Sequence, residues 1–249
     1  MSTEPDTIAA VCFDLDDTLY PQAAWLRGAW AAVAARAAAD GVDEAAMRHA
    51  LEDAAALGSD GGRIIDRALE GVGATEVPVG PLVEVFRRHD AGTLEPFPGV
   101  RDGLASLAAR VPLGLISDGD PDIQRAKLEA LGLVDEFSAV VWSDEHGRAR
   151  RKPDPLPFEL ALELLGVNAR EAVYIGDRPE KDVAGAIAAG LVAIRVGTGE
   201  WAAQPDDPRA WASVPTVADA IELVAGVVDA QVASTPASTR KSSRPGANR

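Results

Sequence analysis

Cysteine is almost absent from this 249-residue chain, and the single Cys12 cannot form an internal disulfide. A cross-linked scaffold is therefore excluded, and a reducing compartment, the cytoplasm, is the expected home. Histidine is nearly as scarce, with three residues, so a His/Cys zinc site has little to draw on. No apolar run approaches the roughly 20 residues that span a bilayer, and no membrane partner is expected. The first seven residues carry Glu4 and Asp6 without a basic stretch, a pattern that does not fit a signal peptide. Basic residues are also in deficit, 24 against 39 acidic, for a net charge of −15. A surface of that sign repels phosphate backbones, so no nucleic-acid partner is expected.

What is present is ordinary for a soluble globular enzyme: 47% hydrophobic and 25% charged residues. The length suits one large domain, or a core carrying a smaller insertion. The charge is uneven. Residues 231–249 hold Arg240, Lys241, Arg244 and Arg249 and no acid, so the −15 of the whole becomes −19 for the rest. This Ser-, Thr-, Pro- and Ala-rich tail lacks the apolar content to pack and is expected to be disordered and solvated.

Ile8 to Phe13 is a short apolar run ending in acids, the pattern of a buried parallel strand that delivers side chains at its C-terminal end. From Trp25 the character changes to Ala-rich helical segments at Trp25–Ala39, Glu44–Leu57 and Arg63–Glu70, punctuated by Gly41, Gly58, Gly61 and Gly62, with a fourth over about Pro81–His89. After the turn-rich Glu95–Gly99, helices and strands alternate. Helices are predicted at Val100–Arg110, Ile123–Leu131, Pro157–Leu165 and Lys181–Ala189, and strands at Leu113–Ser117, Ala139–Trp142, Ala172–Ile175 and Val192–Val196. A last helix is expected over Val214–Val228. The fold class is therefore α/β: a Rossmann-like parallel sheet with helices on both faces, built from right-handed βαβ units. Residues 1–20 and 97–230 form this core, 21–96 a small helical domain inserted after the first strand, and 231–249 the tail.

In open α/β sheets, ligands sit at the carboxyl ends of the strands, and four predicted strand ends carry polar chemistry. The first ends in Asp14-Leu15-Asp16-Asp17-Thr18. In an extended chain Asp14 and Asp16 face one side, where a hard cation such as Mg²⁺ relieves their repulsion; an acidic helix cap made by Asp17 or Thr18 reads as well. The second ends in Ser117-Asp118-Gly119, whose hydroxyl and backbone N–H groups suit a phosphoryl oxygen, or a helix N-cap. Lys152 stands among prolines in Arg151-Lys152-Pro153-Asp154-Pro155, which are expected to hold the loop extended and present the ammonium as a point charge. The fourth strand ends in Gly176-Asp177 with Asp182 five residues on, bringing more carboxylate to the rim; a helix cap with Pro179 in the first turn is again the alternative. Each alternative is sound alone. Four such coincidences at four strand ends are not.

In this order the residues resemble the motifs of the haloacid dehalogenase-like hydrolase superfamily: Asp-x-Asp-x-Thr at Asp14–Thr18, Ser117, Lys152, and Gly-Asp-x-x-x-x-Asp at Gly176–Asp182. The resemblance covers about Ile8 to Val196, and the insertion falls where one large branch carries a helical cap. The resemblance implies that Asp14 is the nucleophile, forming an aspartyl-phosphate, and a Mg²⁺ ligand. It implies that Asp16 is the general acid and base and binds the metal through its backbone carbonyl, and that Asp177 binds the metal directly. Ser117, Asp118 and Lys152 would form the phosphate-binding set, with Asp118 standing where many relatives carry Asn. Thr18 and Asp182 would support the site, Asp182 through Lys152 or a metal-bound water. Dehalogenase members need no acid at the position of Asp16, so its presence favours phosphoryl chemistry.

The implied activity is a Mg²⁺-dependent phosphatase acting on a small phosphorylated metabolite of nucleotide or sugar-phosphate type. The implied assembly is a monomer or homodimer. A phosphomutase of the same fold, or a non-catalytic binding protein using the insertion and tail as a surface, remain the alternatives. Candidate selectivity residues in the insertion are Trp25, Arg27, Trp30, Arg63, Arg67, Arg87, Arg88 and His89, with Arg148, Arg150 and Arg151 adding positive potential near Lys152.

Overall fold

The computed structural model describes residues 4, 5, 7–58 and 62–234. Strands β1 (Ala10–Phe13), β2 (Leu113–Ser117), β3 (Ala139–Trp142), β4 (Ala172–Gly176), β5 (Val192–Val196) and β6 (Ala212–Val214) form one sheet in the order β3-β2-β1-β4-β5-β6. All its pairings are parallel. The central strand β1 therefore ends between β2 and β4, and Asp14 N donates to Ile175 O at 2.9 Å as it leaves the sheet.

The strands alternate their side chains between two cores, as a pleat requires. Val11, Phe13, Leu113, Leu115, Val173, Ile175 and Ile194 pack on one face. There they meet α5 (Val100–Ala108), α6 (Pro121–Leu131) and α9 (Val217–Ser234). Cys12, Ile116, Tyr174 and Ala193 point to the other face and pack on Phe158, Ala161 and Leu162 of α7 (Leu156–Leu165) and on Ala186 of α8 (Ala184–Ala188). Both faces are apolar because both are covered. Burial pushes the Cys12 thiol up to about 12, so this thiol is an inert core side chain rather than a nucleophile.

Between β1 and α5 the chain forms α1 (Gln22–Ala38), α2 (Glu44–Ala56), α3 (Ile64–Gly71) and α4 (Val79–Arg87). Their buried faces make a separate cluster around Trp30, Met47, Leu51, Leu69 and Leu82. The first turns of α1 belong elsewhere: Trp25 and Ala29 pack into the sheet-side core.

Three features differ from the sequence reading. The edge strand β6 was not anticipated; three residues with mixed exposure carry no periodic signal. The single helix expected over Lys181–Ala189 is a π-helical turn at Pro179–Val183 followed by α8. Helix α9 continues to Ser234, four residues past the boundary drawn at 230; residues 235–249, the rest of the expected tail, lie outside the described residues. Among the described residues no helix is long and apolar enough to cross a membrane.

Candidate active site

The ends of β1, β2 and β4, the loop before α7 and the inner side of α1–α4 enclose a cavity of about 550 Å³. Asp14, Asp16, Ser117, Asp118, Lys152 and Asp177 all line it. The structure thus brings the three strand-end motifs and the Lys152 loop to one place.

At the cavity floor Lys152 is almost fully buried, with its Nζ 2.5 Å from Asp14 Oδ1 and 2.7 Å from Asp182 Oδ1. It also donates to Tyr174 Oη at 2.9 Å and to Ile116 O at 3.3 Å. The lysine is presented by a tight turn rather than the extended loop expected from the prolines: Asp154 N donates to Arg151 O at 2.9 Å, and the Lys152–Pro153 peptide is cis. Burial would discharge this ammonium, but Asp14 and Asp182 hold its pKa well above the usual lysine value. Gly176 has a steric reason to be glycine. A Cβ there would lie 2.6 Å from Cβ and Cγ of Asp182, so a side chain would expel that carboxylate.

Carboxylate oxygens of Asp14, Asp177 and Asp182 lie within 4.8 Å of one another. Burial pushes the Asp14 carboxyl up to about 7 even though Lys152 pulls it down. Burial, then the charges of Asp182 and Asp14, raise Asp177 well above the carboxylate range. Burial also opposes the Asp182 charge, yet Lys152 outweighs it and keeps that group below its ordinary value. Asp177 Oδ1 is buried and has no hydrogen-bond partner among the described residues. Three crowded carboxylates, two of them with the charged form disfavoured by burial and one with an orphaned oxygen, form an all-oxygen set that fits a hard divalent cation.

Asp16 faces the same cavity but has its own partners. Lys127 Nζ reaches its two oxygens at 2.8 and 2.9 Å, Gln124 Nε2 donates to Oδ2 at 2.8 Å, and Tyr20 Oη donates to Oδ1 at 2.6 Å. Burial works against the Asp16 charge, but Lys127 and these hydrogen bonds outweigh it and lower its pKa. The Asp16 side chain is thus apart from the three-carboxylate cluster. Gln124 Nε2 also donates to Ser117 Oγ at 2.6 Å, so one amide ties the ends of β1 and β2 together.

Asp118 lines the cavity and has partners of its own. Its Oδ1 accepts from Ser143 Oγ at 2.6 Å and from Lys152 N at 3.1 Å, which fastens the lysine turn to β2. Thr18 Oγ1 donates to Asp14 Oδ2 at 3.4 Å. Asp17, considered in the sequence as a helix cap, does accept from Gln22 N at 2.9 Å at the start of α1. It also accepts from Glu200 N at 3.2 Å and adopts a left-handed backbone, φ 57°.

Sequence reasoning missed Tyr20, Gln124, Lys127 and Tyr174. A signal existed for two of them: the buried stripe of α6 runs Ile123, Gln124, Lys127, Leu128, Leu131, and polar residues inside an apolar stripe need partners.

The model of the haloacid dehalogenase-like hydrolases matches residues 8–190. This chain belongs to that family. Among curated relatives, a glyceraldehyde 3-phosphate phosphatase of Methanopyrus kandleri is 36% identical over 84% of this chain and 91% of its own. A phosphoglycolate phosphatase of Chromobacterium violaceum is 33% identical over 77% of this chain and 86% of its own. A solved 2-haloacid dehalogenase of Pseudomonas syringae superposes with a TM-score of 0.63 at 29% identity, covering 88% of this chain and 99% of that one. The chain is a hydrolase of this family, and its curated relatives named here are phosphatases.

Proposed function

We propose that this chain is a Mg²⁺-dependent phosphatase that hydrolyses a small phosphorylated metabolite by way of a phosphoryl group carried on Asp14. The observation that carries the reading is the arrangement around Lys152: Asp14, Asp177 and Asp182 crowd one buried ammonium, while Asp16 stands across the same cavity with separate partners.

Asp14 and Asp177 would hold the ion, with the backbone carbonyl of Asp16 as a further ligand and Asp182 behind them. A bound Mg²⁺ would screen the crowded carboxylates and the phosphoryl oxygens alike. Lys152 adds a fixed positive charge beside the nucleophile, so a phosphate dianion is not repelled by the Asp14 carboxylate. Ser117 Oγ already accepts from Gln124, which leaves its own proton to donate to a phosphoryl oxygen. Asp118 serves by holding the Lys152 turn rather than by touching the phosphate, since a second carboxylate there would repel it.

In the first step an Asp14 carboxylate oxygen attacks phosphorus, the bond to the leaving oxygen breaks, and that oxygen takes its electron pair and a proton from Asp16, a carboxylate ionised in the free protein that must first take up this proton as the anionic substrate approaches. In the second, water attacks phosphorus, Asp16 takes the water's proton, and the phosphorus bond to Asp14 breaks to free inorganic phosphate. Asp16 is what separates this reading from halide displacement: a halide leaves without a proton, whereas an alkoxide does not. The α1–α4 segment, residues 21–96, serves as a cap that completes the cavity wall and excludes water during transfer.

The test is phosphate release from a panel of phosphate esters, with and without Mg²⁺. Release that stops in excess chelator and returns with Mg²⁺ is expected. Undiminished turnover in EDTA contradicts the metal assignment, and return of an isomeric sugar phosphate in place of free phosphate makes the chain a mutase.

A further inference from the structure

Arg195 is a full charge inside the sheet. It lies in β5 between Ile194 and Val196 and is 3% exposed. A buried guanidinium is costly unless its five N–H donors are met, and here each has an acceptor. Nε donates to Asp177 O at 3.4 Å. Nη1 donates to Gln204 O at 2.7 Å and to Asp206 Oδ1, and Nη2 to Trp201 O at 2.8 Å and Ala202 O at 3.4 Å. Four of the five acceptors are backbone carbonyls, so the rigid fork fixes the course of the chain rather than one side chain. It ties the loop after β5 to the residue that follows β4.

The loop held in this way presses on the end of β1. Thr198 Oγ1 donates to Asp17 O, and Glu200 N donates to Asp17 Oδ2 at 3.2 Å. Gly199 has φ 67°, and a Cβ there would lie 2.1 Å from Asp17 Cγ, so only glycine lets the loop come this close. Asp17 is itself left-handed, φ 57°, a conformation that a residue with a side chain keeps only when its surroundings impose it. The peptide between Asp16 and Asp17 carries the carbonyl assigned above to the metal. Asp177, the other end of the fork's reach, has a buried Oδ1 that no hydrogen bond holds among the described residues. Its placement therefore leans on its backbone.

We propose that Arg195, acting through Thr198 and Gly199, is a positioning residue that sets the affinity of the site for Mg²⁺. This rests on the metal-dependent phosphatase reading and deepens it. Arg195 is not part of the cavity lining, so it touches neither ion nor substrate. It works on two attachments of the ion from behind: on Asp177 through that residue's own carbonyl, and on the Asp16–Asp17 peptide through residues 198–200. Groups that orient metal ligands in this way are worth about 10- to 100-fold in metal affinity.

The test is calorimetric titration of Mg²⁺ into the full chain without substrate, with melting temperature in EDTA recorded for each protein. Arg195→Met should weaken Mg²⁺ binding by about 10- to 100-fold. Arg195→Lys, which keeps the charge but not the fork, should recover only part of the loss. Thr198→Val keeps the shape of the side chain and removes the hydroxyl, and should weaken binding severalfold; Thr198→Ser, which restores the hydroxyl, should recover most of it. A residue with a merely structural role would lower the melting temperature and leave the Mg²⁺ affinity where it was. Unchanged Mg²⁺ affinity in either Arg195→Met or Thr198→Val, in folded protein, overturns the inference. Should Arg195→Met fail to fold, the half-buried Thr198 pair decides alone. Hydrolysis of p-nitrophenyl phosphate by the wild type, measured alongside, tests the underlying reading by itself. A wild type that binds Mg²⁺ and releases phosphate, with variants that bind the ion equally well, removes the role of Arg195 and keeps the phosphatase. A wild type that binds no Mg²⁺ removes both.

Discussion

Lys152 Nζ lies 2.5 Å from Asp14 Oδ1 and 2.7 Å from Asp182 Oδ1, so one buried ammonium is shared by two carboxylates, one from the end of β1 and one from the π-helical turn after β4. Its charge is what allows the acids to share a buried space before any metal binds. It also sets a dependence: removing the ammonium leaves Asp14 and Asp182 facing each other unscreened.

Lys152→Met is therefore expected to cost about 3–5 kcal/mol of stability, the range for breaking a buried pair by removing one partner. The melting temperature in chelator should drop by several degrees, and Mg²⁺ should recover part of the loss. A variant as stable as wild type without metal would contradict this role of the Lys152 ammonium.

The acid cluster also predicts how stability follows pH in metal-free protein. The Asp14 carboxyl is pushed from 3.8 up to about 7, chiefly by burial. Between those values the folded state keeps a proton that the unfolded chain has lost, so stability falls as pH rises. Asp177, raised by burial and by Asp182, acts in the same direction. Asp16 and Asp182, whose folded values are depressed, contribute stability that is present above the ordinary aspartate pKa and lost only below it, outside this window. Melting temperature in EDTA should therefore decline from about pH 4.5 to about pH 7.5, and Mg²⁺ should flatten the decline. A metal-free melting temperature that rises over that range contradicts the assignment.

Asp16 and Asp14 are two residues apart and both essential in this account, so loss of activity alone does not separate them. Asp16→Asn should slow hydrolysis of an alkyl phosphate by roughly 10²- to 10⁴-fold. It should slow formation of the Asp14 phosphoryl species from p-nitrophenyl phosphate far less, because nitrophenolate leaves without a proton. Rapid-quench comparison of the two substrates reads the difference. An equal loss of phosphorylation rate on both would reduce Asp16 to a scaffold for the metal site.

Much of this site was readable from the chain. The bounds of β2, β3 and β5 coincide with the runs Leu113–Ser117, Ala139–Trp142 and Val192–Val196, because strands buried on both faces are mostly apolar and stop at a hydroxyl or a glycine. Asp14, Ser117, Lys152 and Asp177 announced themselves at strand or loop ends, where ligand chemistry is expected. What stayed hidden depends on how elements pack. Gln124 and Lys127 sit on a helix whose burial comes from the sheet and from Trp25, and nothing local to α6 says that Asp16 lies opposite. Tyr174 looked like an ordinary strand aromatic; its hydroxyl meets Lys152 only once β4 lies beside β1. Arg195 is a charge within a buried strand. Its guanidinium donates to Trp201 O at 2.8 Å and Gln204 O at 2.7 Å and pairs with Asp206, anchoring the loop after β5.

The central claim is covalent transfer of the phosphoryl group to Asp14. Wild type and Asp16→Asn, turning over p-nitrophenyl phosphate in Mg²⁺, can be quenched in acid, digested and mapped by mass spectrometry. The account predicts one added phosphoryl group on the peptide containing Asp14, at higher occupancy in Asp16→Asn because the attacking water has lost its base, and none in Asp14→Asn, which should stay folded and lose at least about a thousandfold in rate. Steady turnover with no phosphoryl group on that peptide in either protein, or undiminished turnover by Asp14→Asn, would contradict it.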